Sequence, residues 1–138
     1  MSRYFIHQYI EQRESYSLEE IKRKFNIVIR MSDKPIANKY IADTVDSNPK
    51  SPIKLLNNTH YKEVNVLSIN SLNDNTALVR YQTRLHNKSE VNEVKTEDWQ
   101  AVIKWKYVND KASLNDRDKN PLGFTVTYYQ VSPVFAEK

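Results

Sequence analysis

The spacing of apolar residues changes once along this chain, and that change limits what the chain can fold into. Before His60 they recur at helical intervals; after it they recur at every second residue. In the first segment Phe5, Ile6, Tyr9 and Ile10 share one helical face, while His7, Gln8 and Glu11 fall on the other. The second segment carries a helix start signal. Ser17 can cap, Glu20 can reach back to it, and Tyr16 can staple onto Ile21, with Leu18, Ile21, Phe25 and Val28 as the buried stripe. A third helix opens at Ser32 or Asp33 with Pro35 in its first turn, and Ile36, Tyr40, Ile41 and Val45 form its apolar face. The run Asn48-Pro49-Lys50-Ser51-Pro52 ends it, and Pro52 can start a short helical turn through Leu55 and Leu56.

Beyond His60 the segment Tyr61 to Asn70 reads as a strand whose alternation slips phase at Val66-Leu67, which predicts a β-bulge there. Asn73-Asp74-Asn75 is a turn, because Asn and Asp tolerate the left-handed conformation. Ala77, Val79, Tyr81, Thr83 and Leu85 then alternate with Leu78, Arg80, Gln82, Arg84 and His86. After a polar loop, Trp99, Ala101, Ile103, Trp105 and Tyr107 alternate with Gln100, Val102, Lys104 and Lys106. A charged loop from Asn109 to Lys119 precedes a last strand, Phe124 to Val131. Helices followed by four consecutive strands predict an α+β fold: a four-stranded antiparallel sheet with about three helices packed on one face.

The chain has 138 residues, the common size of one domain, and is read as a single unit over 1–138. Its longest apolar runs, such as Ile27-Val28-Ile29, fall far short of the about 20 residues that span a bilayer. Met1-Ser2 leads at once into Arg3-Tyr4-Phe5-Ile6, which reads as helix interior and suggests that a longer protein extends upstream. There is no cysteine, which excludes disulfides and thiolate metal sites. The net charge of +4 permits anionic partners without demanding them.

Catalysis finds little support. His7, His60 and His86 are scattered, and a chain with one glycine cannot build a glycine-rich phosphate loop. His7 and Glu11 stand four residues apart on one helical face, but two ligands are too few for zinc, so neither a metal nor a cofactor is expected. Arg80, Arg84, Lys104 and Lys106 share a parity on two neighbouring strands and form a basic face. The aromatics Tyr81, Trp99, Trp105 and Tyr107 share the opposite, core parity. Readers of single-stranded nucleic acid stack bases on exposed aromatics. The basic face is therefore read as a solvated or protein-binding surface, and nucleic acid is not expected as the primary partner.

Two segments remain as candidate contact sites. In Asn120-Pro121-Leu122-Gly123, Asn, Pro and Gly occupy the positions they favour in a type I turn, and Gly123 is the only glycine. Such a turn aims the last strand and can also be shaped for a partner. The first helix, with Tyr4, Phe5 and Tyr9 and then Arg13, carries more aromatic surface than one core contact needs, which predicts weak self-association.

The order of several segments resembles the periplasmic domain of the inner-membrane assembly protein of bacterial type IV secretion systems, the eighth component in the VirB series. The matching pieces begin with Tyr9 through Arg13-Glu14-Ser15-Tyr16, then Phe25-Asn26-Ile27-Val28 leading to Met31-Ser32, and Asn48-Pro49-Lys50-Ser51-Pro52. They continue with Trp99-Gln100-Ala101-Val102-Ile103 and with Asn120-Pro121-Leu122-Gly123-Phe124-Thr125-Val126-Thr127-Tyr128-Tyr129, so the likeness covers nearly the whole chain. One departure is visible: Ser132-Pro133-Val134 stands where the family pattern tends to be acidic.

The resemblance implies a curved, cone-shaped sheet similar to nuclear transport factor two. It also implies an N-terminal cytoplasmic tail and membrane helix upstream, and a non-enzymatic scaffold that pairs weakly with itself and contacts other secretion components. The same cone-shaped fold also hosts small-molecule enzymes and binding proteins, which is the alternative reading.

Overall fold

The computed structural model describes residues 2–45, 47–108 and 123–135, the side chains of 91–93 excepted. The charged loop Asn109 to Lys119 and the residues Asn120, Pro121 and Leu122 lie outside the described residues. Four helices come first, α1 (Ser2–Glu14), α2 (Ile21–Arg30), α3 (Lys34–Thr44) and the one-turn α4 (Pro52–Leu56). The strands β1 (His60–Asn73), β2 (Thr76–Asn87), β3 (Glu90–Tyr107) and β4 (Phe124–Pro133) follow. They form one antiparallel sheet in the order β1-β2-β3-β4, so every neighbour in the sheet is a neighbour in sequence.

The helices cover one face of that sheet. Phe5, Ile6, Tyr9 and Ile10 of α1 are all buried and meet Ala77, Val79 and Tyr81 of β2 and Ala101, Ile103 and Trp105 of β3 in one core. These sheet residues are the inner parity, and the period of two delivers them to the same side. Trp99 and Tyr107 share that parity but sit at the ends of the row. Trp99 is half-buried, its indole N–H donating to Thr83 Oγ1 at 2.9 Å, and Tyr107 is largely exposed.

The bulge falls where the phase slip places it. Val66 faces Tyr81 and Ser68 faces Arg80, which leaves Leu67 as the extra residue. The β1–β2 turn is closed by Asn73, whose Oδ1 accepts the Asn75 N–H at 2.9 Å. Asp33 caps α3, its side chain accepting the Ile36 N–H at 3.2 Å, and the fully buried Ser51 caps α4 from Lys54 N at 3.3 Å.

Two local expectations are corrected. The Ser17–Glu20 capping box is not formed, because α2 begins only at Ile21 and Glu20 occupies its N-cap without a side-chain cap bond. Tyr16 is instead drawn into the sheet, exchanging backbone bonds of 3.0 and 2.8 Å with Lys62 of β1. Residues 17–20 then form a tight turn, and Glu20 uses its carboxylate on Arg23 at 3.1 Å and Lys24 at 3.7 Å.

The polar loop before Trp99 is also absent. A turn at Lys88 and Ser89 leads directly into β3, whose polar half pairs Asp98, Glu97, Thr96 and Lys95 with Gln82 to Leu85 of β2. Both parities of this half carry polar residues, Lys95 and Glu97 on one and Thr96 and Asp98 on the other, so the sequence loses its apolar alternation without leaving the strand.

Candidate interaction surface

The helical period divides α1 between core and solvent. Of the residues marked for self-association, Tyr4 alone is exposed, at 63%. Phe5 and Tyr9 are core residues, with Phe5 stacked on Phe124 at 5.4 Å and Tyr9 edge-on to Tyr129 at 5.4 Å. The Arg13 side chain is 9% exposed. Residues four apart share a helical face, so Phe5 and Tyr9 go to the core together with Arg13 beyond them, while Tyr4 is turned outward. Phe5, Tyr9 and Arg13 cannot therefore face a partner in this fold.

Arg13 organises a polar knot at the C-terminal end of α1. Its Nη1 donates to the Tyr9 hydroxyl at 2.7 Å. That hydroxyl lies 2.7 Å from Ser32 Oγ, and Ser32 in turn donates to the Val28 carbonyl at 2.7 Å. With the Ser32 proton so used, the Tyr9 proton points to Ser32, and the chain runs in one direction from guanidinium to carbonyl. The guanidinium also lies 5.0 Å from the Tyr40 ring centre and 4.4 Å from that of Tyr129. Tyr129 donates to Glu14 Oε2 at 2.6 Å, so one residue of β4 bonds the last residue of α1. Burial raises the pKa of the Tyr9 hydroxyl, that of Tyr40 to about 12, and those of Tyr81 and Tyr129 more strongly. No sequence period marked this knot, because Arg13 reads as part of a self-association surface and its partners Ser32, Tyr40 and Tyr129 lie outside α1.

On its other flank α1 forms an open groove of about 530 Å³ with the bulged part of β1. Tyr4, His7 and Glu11 form one wall, and Val66, Leu67 and Ile69 the other. Leu67, pushed out by the bulge, is 53% exposed. Arg3 Nη1 donates to the Ile69 carbonyl at 2.8 Å and ties the helix to the open edge of the sheet. His7 Nδ1 lies 3.4 Å from Glu11 Oε1 on this wall. Among the described residues no three histidine, aspartate or glutamate side chains gather as metal ligands would. His86 stacks on Tyr61 at 4.5 Å beside Glu63, and His60 bonds its neighbour Thr59 at 2.7 Å.

Gly123 has φ +65°, the left-handed region, at the entry to β4. Its carbonyl accepts the Val108 N–H at 2.9 Å, and a β-carbon placed on it would lie 1.6 Å from the Val108 carbonyl oxygen. Glycine is required here by both conformation and space.

The sequence model of the VirB8 protein family matches residues 1–134. The type IV secretion system protein virB8 of Bartonella henselae is 28% identical over 133 residues, covering 96% of this chain and 56% of its own length. The chain thus spans a little over half of that relative. Among solved structures, the soluble domain of TrwG type IV secretion machinery from Bartonella grahamii superposes with a TM-score of 0.91 at 26% identity, covering 99% of this chain and 94% of that one. A TraE protein in complex with 4-(1H-pyrrol-1-yl)pyridine-2-carboxylic acid gives 0.88 at 25% identity, covering 96% and 95%. The four-stranded sheet with helices on one face agrees with these folds and is consistent with a nuclear transport factor two-like cone. With nearly the whole chain matched, this protein belongs to the VirB8 family of type IV secretion components.

Proposed function

We propose that this domain is a non-enzymatic assembly scaffold of a type IV secretion system, placed in the periplasm by an inner-membrane helix upstream, where it pairs weakly with itself and contacts other channel components. Family membership supports the setting. The observation that carries self-association is Tyr4, the one aromatic of α1 left 63% exposed, standing over an open groove whose opposite wall offers the exposed Leu67. A large exposed aromatic beside an apolar wall is a common interface anchor. Tethering to a membrane raises effective concentration, so a pairing that is weak in solution suffices.

Sedimentation equilibrium on the isolated domain tests this. A dimer populated at high protein concentration and abolished by Tyr4→Arg is the expected result; monomer at every concentration refutes it. The Asn120-Pro121-Leu122-Gly123 segment is the second contact in this reading. Leu122→Ser should fold normally and impair capture of another secretion component, and full capture would leave the segment a structural turn only.

The alternative, a small-molecule binding domain, draws on the TraE protein solved with a pyridine carboxylic acid. Against an enzyme's enclosed site, the interior here is filled by Phe5, Tyr9, Trp105 and Phe124.

A further inference from the structure

The outer face of the sheet, turned away from the helices, is divided by charge. Its register can be read row by row. Toward the β2–β3 turn lie Glu63 beside Arg84 and Thr96, and Gln82 beside Asp98. The acids of this half are engaged: Glu63 contacts His86 Nε2, and Asp98 Oδ1 accepts from Gln82 Nε2 at 3.2 Å. The other half has the rows Ser68, Arg80, Gln100, Ser132 and then Asn70, Leu78, Val102, Gln130, followed by Lys104 beside Tyr128 and Lys106 beside Thr125. None of these residues is acidic; the nearest acids are Asp98, in the adjacent row and bonded to Gln82, and Asp74 at the hairpin tip.

Several cations elsewhere are paired, although others such as Lys22, Lys34 and Arg84 have no carboxylate among the described residues. Arg23, Lys24, Lys39, Lys88 and Lys95 each have a carboxylate within 4.0 Å. Arg80, Lys104 and Lys106 have none among the described residues, and the buried Arg80 Nε has no hydrogen-bond partner. Lys104 rests on the Tyr128 ring at 5.5 Å, and Tyr128 itself is 40% exposed. Between Arg80 and Lys104 the adjacent Leu78 and Val102 form a half-buried apolar centre.

We propose that this half of the outer face docks an acidic polypeptide segment of a partner protein. Its carboxylates would meet Arg80, Lys104 and Lys106, and an apolar side chain would cover Leu78, Val102 and Tyr128. Unpaired cations around an apolar centre are the charge complement of such a segment, which supplies at once the missing counter-charges and the apolar cover. Nucleic acid fits less well. Single-strand readers stack successive bases on several aromatics, and this half presents one ring, already occupied by Lys104. Anionic membranes are recognised by clusters of roughly 4–8 Lys and Arg, more than are found here. The proposal rests on the scaffold reading only in taking the partner to be a protein.

The test is fluorescence anisotropy of the domain with a labelled acidic peptide, Asp-Glu-Leu-Asp-Glu-Phe-Asp-Glu, and with its Asn/Gln counterpart. An oligothymidylate and vesicles of mixed phosphatidylcholine and phosphatidylglycerol are titrated in parallel, and backbone amide shifts locate the contact. The acidic peptide should bind in a salt-dependent way and shift amides around Arg80, Val102, Lys104 and Tyr128. Lys104→Glu with Lys106→Glu should weaken it by roughly tenfold or more, while the charge-matched control pair Lys34→Glu with Lys39→Glu on α3 should not. Equal binding by the double variant, equal binding of the uncharged peptide, or tighter binding of the oligonucleotide or vesicles through the same residues would overturn the proposal. Sedimentation of the same double variant keeps the two ideas apart: a normal dimer with lost peptide binding separates this face from α1 pairing, and a normal dimer with intact peptide binding refutes the face alone.

Discussion

The Arg13 guanidinium lies 4.4 Å from the centre of the Tyr129 ring, and this contact joins the last turn of α1 to the edge strand β4. Both ends of the contact are secured, because Arg13 also donates to Tyr9 at 2.7 Å and Tyr129 to Glu14 at 2.6 Å. Removing Arg13 leaves the Tyr9 hydroxyl without its donor and Glu14 without its nearby cation. Breaking a buried charged group away from its partners typically costs about 3–5 kcal/mol. Arg13→Ala is expected to lose stability on that order in urea denaturation. Arg13→Lys should recover only part of it, since an ammonium cannot both donate along the Tyr9 line and lie flat against Tyr129.

Gly123 offers a test in which two causes can be separated. Backbone strain at φ +65° penalises most residues, but asparagine tolerates it. The 1.6 Å approach of a β-carbon to the Val108 carbonyl penalises every residue except glycine. Gly123→Asn and Gly123→Ala should therefore both destabilise the domain by at least about 1–3 kcal/mol. An asparagine variant as stable as the parent would show that conformation alone selects the glycine.

The parity of β3 predicts a sharp contrast between neighbours. Trp105 is 4% exposed in the core, and Lys106, the next residue, is exposed on the outer face. Trp105→Ala should cost about 3–5 kcal/mol. Lys106→Ala should stay within about 0.5 kcal/mol of the parent in the same melt.

Legibility in the sequence followed the physics of each element. The bulge at Leu67 was readable because one inserted residue reverses every later side chain, and the alternation of β1 records that reversal. The inner row Ala77, Val79 and Tyr81 was readable for the same reason. The Ser17 signal misled because a capping box is local, whereas the pairing of Tyr16 with Lys62 joins residues far apart in the chain. The first half of β3 was hidden because Lys95, Thr96, Glu97 and Asp98 are polar on both parities and so display no period. The surface role given to Phe5, Tyr9 and Arg13 failed on a narrower point. Excess aromaticity in α1 is consumed by Phe124 and Tyr129, residues of the last strand that no reading of the helix alone would bring beside it. The basic outer face was legible by parity, but Tyr128 was not placed on it until the β3–β4 register set it beside Lys104.

The tyrosines of the knot give the domain an alkaline limit. Burial is the main cause that raises the pKa values of Tyr9, Tyr40, Tyr81 and Tyr129, with Tyr40 reaching about 12. In the unfolded chain each returns to the ordinary value near 10. Between these values the unfolded state has released protons that the folded state still holds, so stability falls as pH rises. The contribution is fully present below about pH 10 and is lost as pH climbs through the folded-state values. For Tyr40 alone, which is 6% exposed, the loss is roughly 2–3 kcal/mol by about pH 12. Urea midpoints should therefore hold steady from neutral pH to about 10 and then drop steeply. Tyrosine ionisation followed by ultraviolet absorbance should show an early group, including the exposed Tyr4, and a late group that titrates only as the helices melt. Tyr40→Phe removes one of the late ionisations and should flatten the drop. A single titration of all tyrosines near pH 10, with the helical signal intact, would show that these hydroxyls are open to water and that the knot does not hold α1 to the sheet.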